Sequence, residues 1–78
     1  MRLVIAKVNE SFFDGDVLSV TVPGAQGEMT VLAGHEPLIT TLKAGTILVR
    51  HLTDTEPLQI PIESGMLEVR KEGVTILL

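Results

Sequence analysis

The chain contains no cysteine, tryptophan or tyrosine, and its only aromatic side chains are Phe12 and Phe13. Without thiols there is no disulfide frame and no thiolate metal site to hold a small fold together. With two aromatics there is no platform for stacking bases or holding sugars. Positive charge is also scarce: six Lys/Arg against ten Asp/Glu give a formal charge of -4, so counterion release from a phosphate backbone cannot drive binding, and nucleic acid is excluded as a partner. No apolar run approaches the ~18 residues that a membrane span requires, and Met1-Arg2-Leu3 leads into a strand pattern without a signal or transit peptide. The expectation is a cytosolic protein that meets a membrane only through a protein already there.

What is present is aliphatic. At 78 residues, the sequence reads as a single domain over 1-78. A domain of this size buries only about 60% of the surface of its unfolded chain, so a partner surface would add stability. Leu3 to Val8 is a β-rich opening run, and Val17 to Val22 alternates, with Leu18, Val20 and Val22 on one face and Ser19 and Thr21 on the other. The two-residue period returns in Leu58-Ile60-Ile62, in Leu67-Val69 and in Val74-Ile76. No ten-residue window keeps a helical period. Turn chemistry recurs at Asp14-Gly15, Pro23-Gly24, Gly27, Gly34, Gly45, Thr53-Asp54, Ser64-Gly65 and Lys71-Glu72-Gly73. Short alternating strands with regular punctuation predict an all-β fold, a two-sheet sandwich or flattened barrel of about ten strands. Pro57 and Pro61 cannot donate ladder hydrogen bonds, which assigns the Leu58 to Ile62 strand to an edge or a bulge.

The residues that could carry chemistry are few. Asp14-Gly15-Asp16 lacks the further oxygen ligands of a calcium loop and reads as a hairpin turn with Gly15 at positive φ. His35 and His51 are the only imidazoles, and no nucleophile-base-acid set forms around them. His35, before Glu36-Pro37, reads as a surface contact or a turn-stabilising side chain, and His51 as solvated. Seven glycines include no Walker-type phosphate cradle. Neither a cofactor nor a metal is expected, and no catalytic residue is assigned. Leu42-Lys43-Ala44-Gly45 has the outline of the turn that presents a carrier lysine in lipoyl and biotinyl domains, but without their flanking residues. A carrier modified at Lys43 is the alternative reading.

One ordered series of motifs goes further. Phe13-Asp14-Gly15-Asp16-Val17, Val22-Pro23-Gly24 with Gly27-Glu28, Val31-Leu32-Ala33-Gly34-His35-Glu36-Pro37-Leu38, Leu42-Lys43-Ala44-Gly45, Ser64-Gly65-Met66-Leu67-Glu68-Val69 and Val74-Thr75-Ile76-Leu77 follow one another in the order found in a known family. From Leu3 to Leu77 the chain resembles the N-terminal β domain of the epsilon subunit of F-type ATP synthases. Ala33 stands where that family usually has Pro, and Ser64 replaces the first Gly of a pair.

The resemblance implies a non-catalytic rotor part on the central stalk. It would couple the gamma subunit to the membrane c-ring during proton- or sodium-driven ATP synthesis, peripheral on the cytoplasmic side and reaching the membrane only through the complex. It places Gln26, Gly27, Glu28, Met29 and His35 toward the c-ring, with Glu28 pairing a basic or amide side chain. An exposed edge or an apolar sheet face would supply the gamma side. The family's two C-terminal helices have no counterpart before Leu78, so their inhibitory and ATP-sensing role is not carried over.

Overall fold

A computed structural model of the chain describes residues 1-51 and 56-78. Nine strands follow one another: β1 (Arg2–Lys7), β2 (Glu10–Asp16), β3 (Ser19–Gly24), β4 (Gly27–Leu32), β5 (Leu38–Leu42), β6 (Gly45–Arg50), β7 (Leu58–Ile62), β8 (Gly65–Arg70) and β9 (Gly73–Leu77). The all-β expectation is met, with nine strands among the described residues where about ten were expected. The expected turn at Thr53-Asp54 lies outside the described residues.

The strands form one sheet in the order β2-β1-β9-β8-β5-β3-β6-β7, with β4 on the other side of β3. It curls into two halves, β2-β1-β9-β8-β5 and β4-β3-β6-β7, around a shared aliphatic core that includes Leu3, Ile5, Val20, Val22, Ile47, Val49, Leu67 and Ile76. All of these eight side chains are fully buried. The halves join where β3 divides its second edge: Ser19 to Thr21 pair with β6, and Gly24 pairs with Leu42 of β5. A Cβ at Gly24 would stand 2.7 Å from the Gly27 carbonyl oxygen, which restricts the joint to glycine.

Several turn assignments shift once strand pairing is known. Asp14-Gly15 is not a turn: Gly15 lies inside β2 opposite Leu3, and the positive φ belongs to Asn9 (66°) in the Val8-Asn9 link. Asparagine tolerates that region because its short side chain bonds locally. Pro23 and Gly24 end β3, and the turn proper is Ala25-Gln26. Gly27, Gly45, Gly65 and Gly73 each begin a strand. Val8 belongs to a link and is exposed rather than part of the opening strand. Leu18 is 50% exposed while Ser19 is buried, because β3 starts at Ser19 and Leu18 only caps it, donating its N–H to the Arg50 carbonyl at 2.8 Å. The proline argument holds: β7 closes one end of the sheet order, with Pro61 opposite Thr46.

Candidate functional site

Strand β4 carries most of the residues placed toward a partner. Its burial alternates, with Glu28, Thr30 and Leu32 outward and Met29 and Val31 inward. Glu28 is therefore an exposed carboxylate, while Met29 is half-buried and packs against the core. Gln26 stands in the two-residue turn, and Gly27 opens the strand with φ 135°, a conformation that side chains resist. Thr30 is fixed to its neighbour on β3 by a 2.8 Å hydrogen bond between the Thr21 and Thr30 hydroxyls.

His35 lies past the other end of β4. Its backbone N–H donates to the Leu32 carbonyl at 3.1 Å, and its Nδ1–H donates to the Glu36 carbonyl at 2.9 Å. Of the two roles read from the sequence, a surface contact or a turn-stabilising side chain, these bonds show the turn-stabilising one. Five residue steps from Gly27 to Leu32 separate the two ends by ~17 Å. The structure brings Gln26, Gly27, Glu28 and Met29 together at one end and sets His35 at the other, beside an open groove shared with Pro37, Arg70 and Lys71. His51, expected to be solvated, is half-buried with its ring 5.6 Å from that of Phe13. Lys43 sits in the link that carries the chain from β5 to β6, strands that do not pair with each other, and its N–H donates to the Pro23 carbonyl at 2.9 Å. That crossover is not the free hairpin tip on which a carrier lysine is displayed.

The apolar sheet face expected for the gamma side acquires named residues only in the structure. On the outer face of β5-β8-β9-β1, Thr41, Met66, Leu77 and Ala6 fall in one cross-strand row, and Ile39, Glu68, Thr75 and Val4 in the next. Ile39 is 66% exposed, Leu77 52% and Met66 44%. One ion pair borders these rows, Arg2 bidentate on Asp14 at 2.9 and 3.0 Å, and a second reaches into them, Arg70 on Glu68 at 2.8 Å. The Arg2 guanidinium, chiefly through its hydrogen bond, holds the Asp14 carboxyl below its ordinary range. The only sequence signal for this face was an apolar residue at an outward position of each strand.

Among the described residues no three His, Asp or Glu side chains gather as a metal site. The surface can present side chains and backbone to another macromolecule.

Comparison with known proteins matches the full range of residues 1-78 to the family model for the beta-sandwich domain of the ATP synthase delta/epsilon chain. The chain is 35% identical over 77 residues to the ATP synthase epsilon chain of Herminiimonas arsenicoxydans, covering 99% of this chain and 55% of that protein. It is 39% identical over 77 residues to the ATP synthase epsilon chain 1 of Thiobacillus denitrificans, with the same coverage. It thus spans about half the length of the curated relatives it matches. Among solved structures, a chain of the Euglena gracilis mitochondrial ATP synthase, solved with its c-ring, superposes with a TM-score of 0.87 at 30% identity, covering 96% of this chain and 48% of that one. A chain of the Tetrahymena thermophila mitochondrial central stalk and c-ring structure superposes with a TM-score of 0.81 at 10% identity over 97% of this chain and 60% of that one, a likeness of fold alone.

Proposed function

The chain belongs to the beta-sandwich domain family of the ATP synthase delta/epsilon chain, and from that membership we propose that it is a non-catalytic coupling part of the central stalk. It binds the gamma subunit on one surface and the c-ring on another, on the cytoplasmic side of the membrane that holds the complex. The observation that carries this reading is the full-length family match on a sandwich that has an exposed apolar outer face. Family membership displaces the carrier reading of Lys43.

The two partner surfaces are distinct. The rows around Ile39, Met66 and Leu77, where exposed apolar side chains alternate with Thr41, Glu68 and Thr75 and the Arg2–Asp14 pair lies at the border, are assigned to gamma. Gln26, Gly27, Glu28 and Met29 meet the c-ring, where Glu28 faces a basic or amide side chain, and His35 extends that contact along β4. A single exposed pair is worth only ~0-1 kcal/mol, so the ring contact works through several groups. The shared aliphatic core suits torque transmission because interiors at native density transmit strain.

Size exclusion with purified gamma subunit tests the reading. Co-elution at micromolar concentrations is expected, and independent elution overturns it.

A further inference from the structure

Three strands of the sheet have one edge without a partner strand among the described residues: β2, β7 and β4. Exposed edges invite pairing with other chains, and folded proteins guard them with prolines, bulges and charges. β7 contains Pro61 and follows Pro57. β2 carries a register shift opposite Ile5/Ala6 and the acids Glu10, Asp14 and Asp16. β4 has neither a proline nor a bulge: it pairs in regular register with β3 over all six of its residues, and Glu28 is its one charge.

The pairing also says which backbone groups are free. The two-residue turn closes between Gly24 and Gly27, so Gly24–Gly27, Val22–Met29 and Val20–Val31 exchange hydrogen bonds. The intervening pairs, Pro23–Glu28, Thr21–Thr30 and Ser19–Leu32, turn their backbone groups away from each other. Two bonds on the far side of β3 agree with this parity: the Pro23 carbonyl accepts from Lys43 N–H at 2.9 Å, and Ala25 N–H donates to the Thr41 carbonyl at 3.0 Å. On the outer edge of β4 the Leu32 carbonyl is taken by His35 N–H. The N–H and C=O of Glu28, the N–H and C=O of Thr30 and the N–H of Leu32 therefore point to the open edge.

We infer that the open edge of β4 is a strand-addition site for an extended basic segment of a partner protein, which pairs antiparallel with Glu28, Thr30 and Leu32. Backbone bonds to Glu28 and Thr30 hold the added strand, as in other cases of peptide binding by sheet extension. Charge selects its sequence: a Lys or Arg lies opposite Glu28 on the outer face, and apolar residues align with Met29 and Val31 on the inner one. A second copy of the chain fits less well, because β4 has no basic residue to set opposite Glu28 and each copy carries a charge of -4. The inference depends on the edge itself and holds whichever subunit meets this end of the sandwich.

The probe is the synthetic peptide acetyl-Val-Val-Thr-Val-Lys-Thr-amide, titrated into the millimolar range against the nitrogen-15-labelled chain. The expected result is shifted, more slowly exchanging amides at Glu28, Thr30 and Leu32, with those of Met29 and Val31 already protected by β3. Replacing the peptide Lys by Glu weakens binding about threefold. Thr30→Pro removes an edge donor that β3 does not use and weakens binding at least about tenfold. Should that variant not fold, Glu28→Lys serves instead and reverses the preference between the two peptides. Absence of shifts at these amides, shifts confined to the Ile39-Met66-Leu77 face, or unchanged binding by the folded Thr30→Pro protein overturns the inference. Concentration-dependent dimers that protect the same amides also overturn it, in favour of self-pairing.

Discussion

The two outer faces of the sandwich follow the same in-out alternation and differ in chemistry. On the β5-β8-β9-β1 side, the outward positions include Ile39, Met66, Leu77, Val4 and Ala6. On the β4-β3-β6-β7 side, one cross-strand row reads Thr30, Thr21, Leu48 and Gln59, and the neighbouring positions include Glu28, Arg50 and Thr46. The first face leaves the apolar area of Ile39, Met66 and Leu77 for a partner to cover, whereas the second is more polar, with Leu32 exposed at the end of β4, and offers its free β4 edge instead. Sandwich stability comes from the inside of both halves, so the outsides are available for different partners.

The strongest way to break this comparison is to remove what the faces share. Leu67 is fully buried in the common core, and Leu67→Ala should lower stability by ~2-5 kcal/mol in urea denaturation, a large part of what a domain of this size has. A loss below ~1 kcal/mol would mean that the halves do not pack as one core. Next comes the apolar face alone. Ile39→Lys, which gains Glu68 as a cross-strand partner, combined with Met66→Gln should leave the urea midpoint nearly unchanged and weaken gamma binding about tenfold or more. Gln59→Lys on the threonine-rich face should leave that affinity within about twofold. Equal effects from both faces would remove the distinction.

Smaller effects sharpen it further. Glu28→Ala and His35→Ala should each weaken attachment to a purified c-ring by about fivefold at most, the equivalent of an exposed pair. Because the two residues sit at opposite ends of β4, their effects should add; strong coupling in the double mutant would contradict the separation. The smallest effect concerns the rim of the apolar face. Asp14 has a folded-state pKa lowered from 3.8 by its hydrogen bond to Arg2. Its contribution is therefore present above the unfolded value and lost as pH falls through the lowered one. Asp14→Asn should slightly flatten the acid limb of a stability-pH curve below about pH 4 and leave neutral-pH stability close to wild type. A steeper acid limb in the mutant would reverse the assigned sign.

Local signals carried much of the fold. Alternation marked Val20-Val22, Leu67-Val69 and Val74-Ile76 as strands with one face buried, and each of these apolar residues is buried. Pro57 and Pro61 narrowed β7 to an edge or a bulge, where a missing N–H is tolerable, and strand pairing makes it an edge. Glycine positions were less direct: Gly15 signalled a turn yet lies within β2, since glycine also fits strand interiors, while the true link used Asn9. The partner residues around Glu28 came from the family resemblance, and the sequence held no cue that β4 would separate them from His35.

By itself, then, the sequence determined the all-β class, the strand periodicity, the prolines that guard β7 and the family. These depend on each residue and its immediate neighbours, which is the range over which alternation and turn chemistry act. Tertiary structure alone decided that β4 has no second partner strand among the described residues and that Ala6, Ile39, Met66 and Leu77 become neighbours on one face. Those outcomes rest on hydrogen-bond register between strands far apart in the chain, and a one-residue slip in that register would exchange the inner and outer faces.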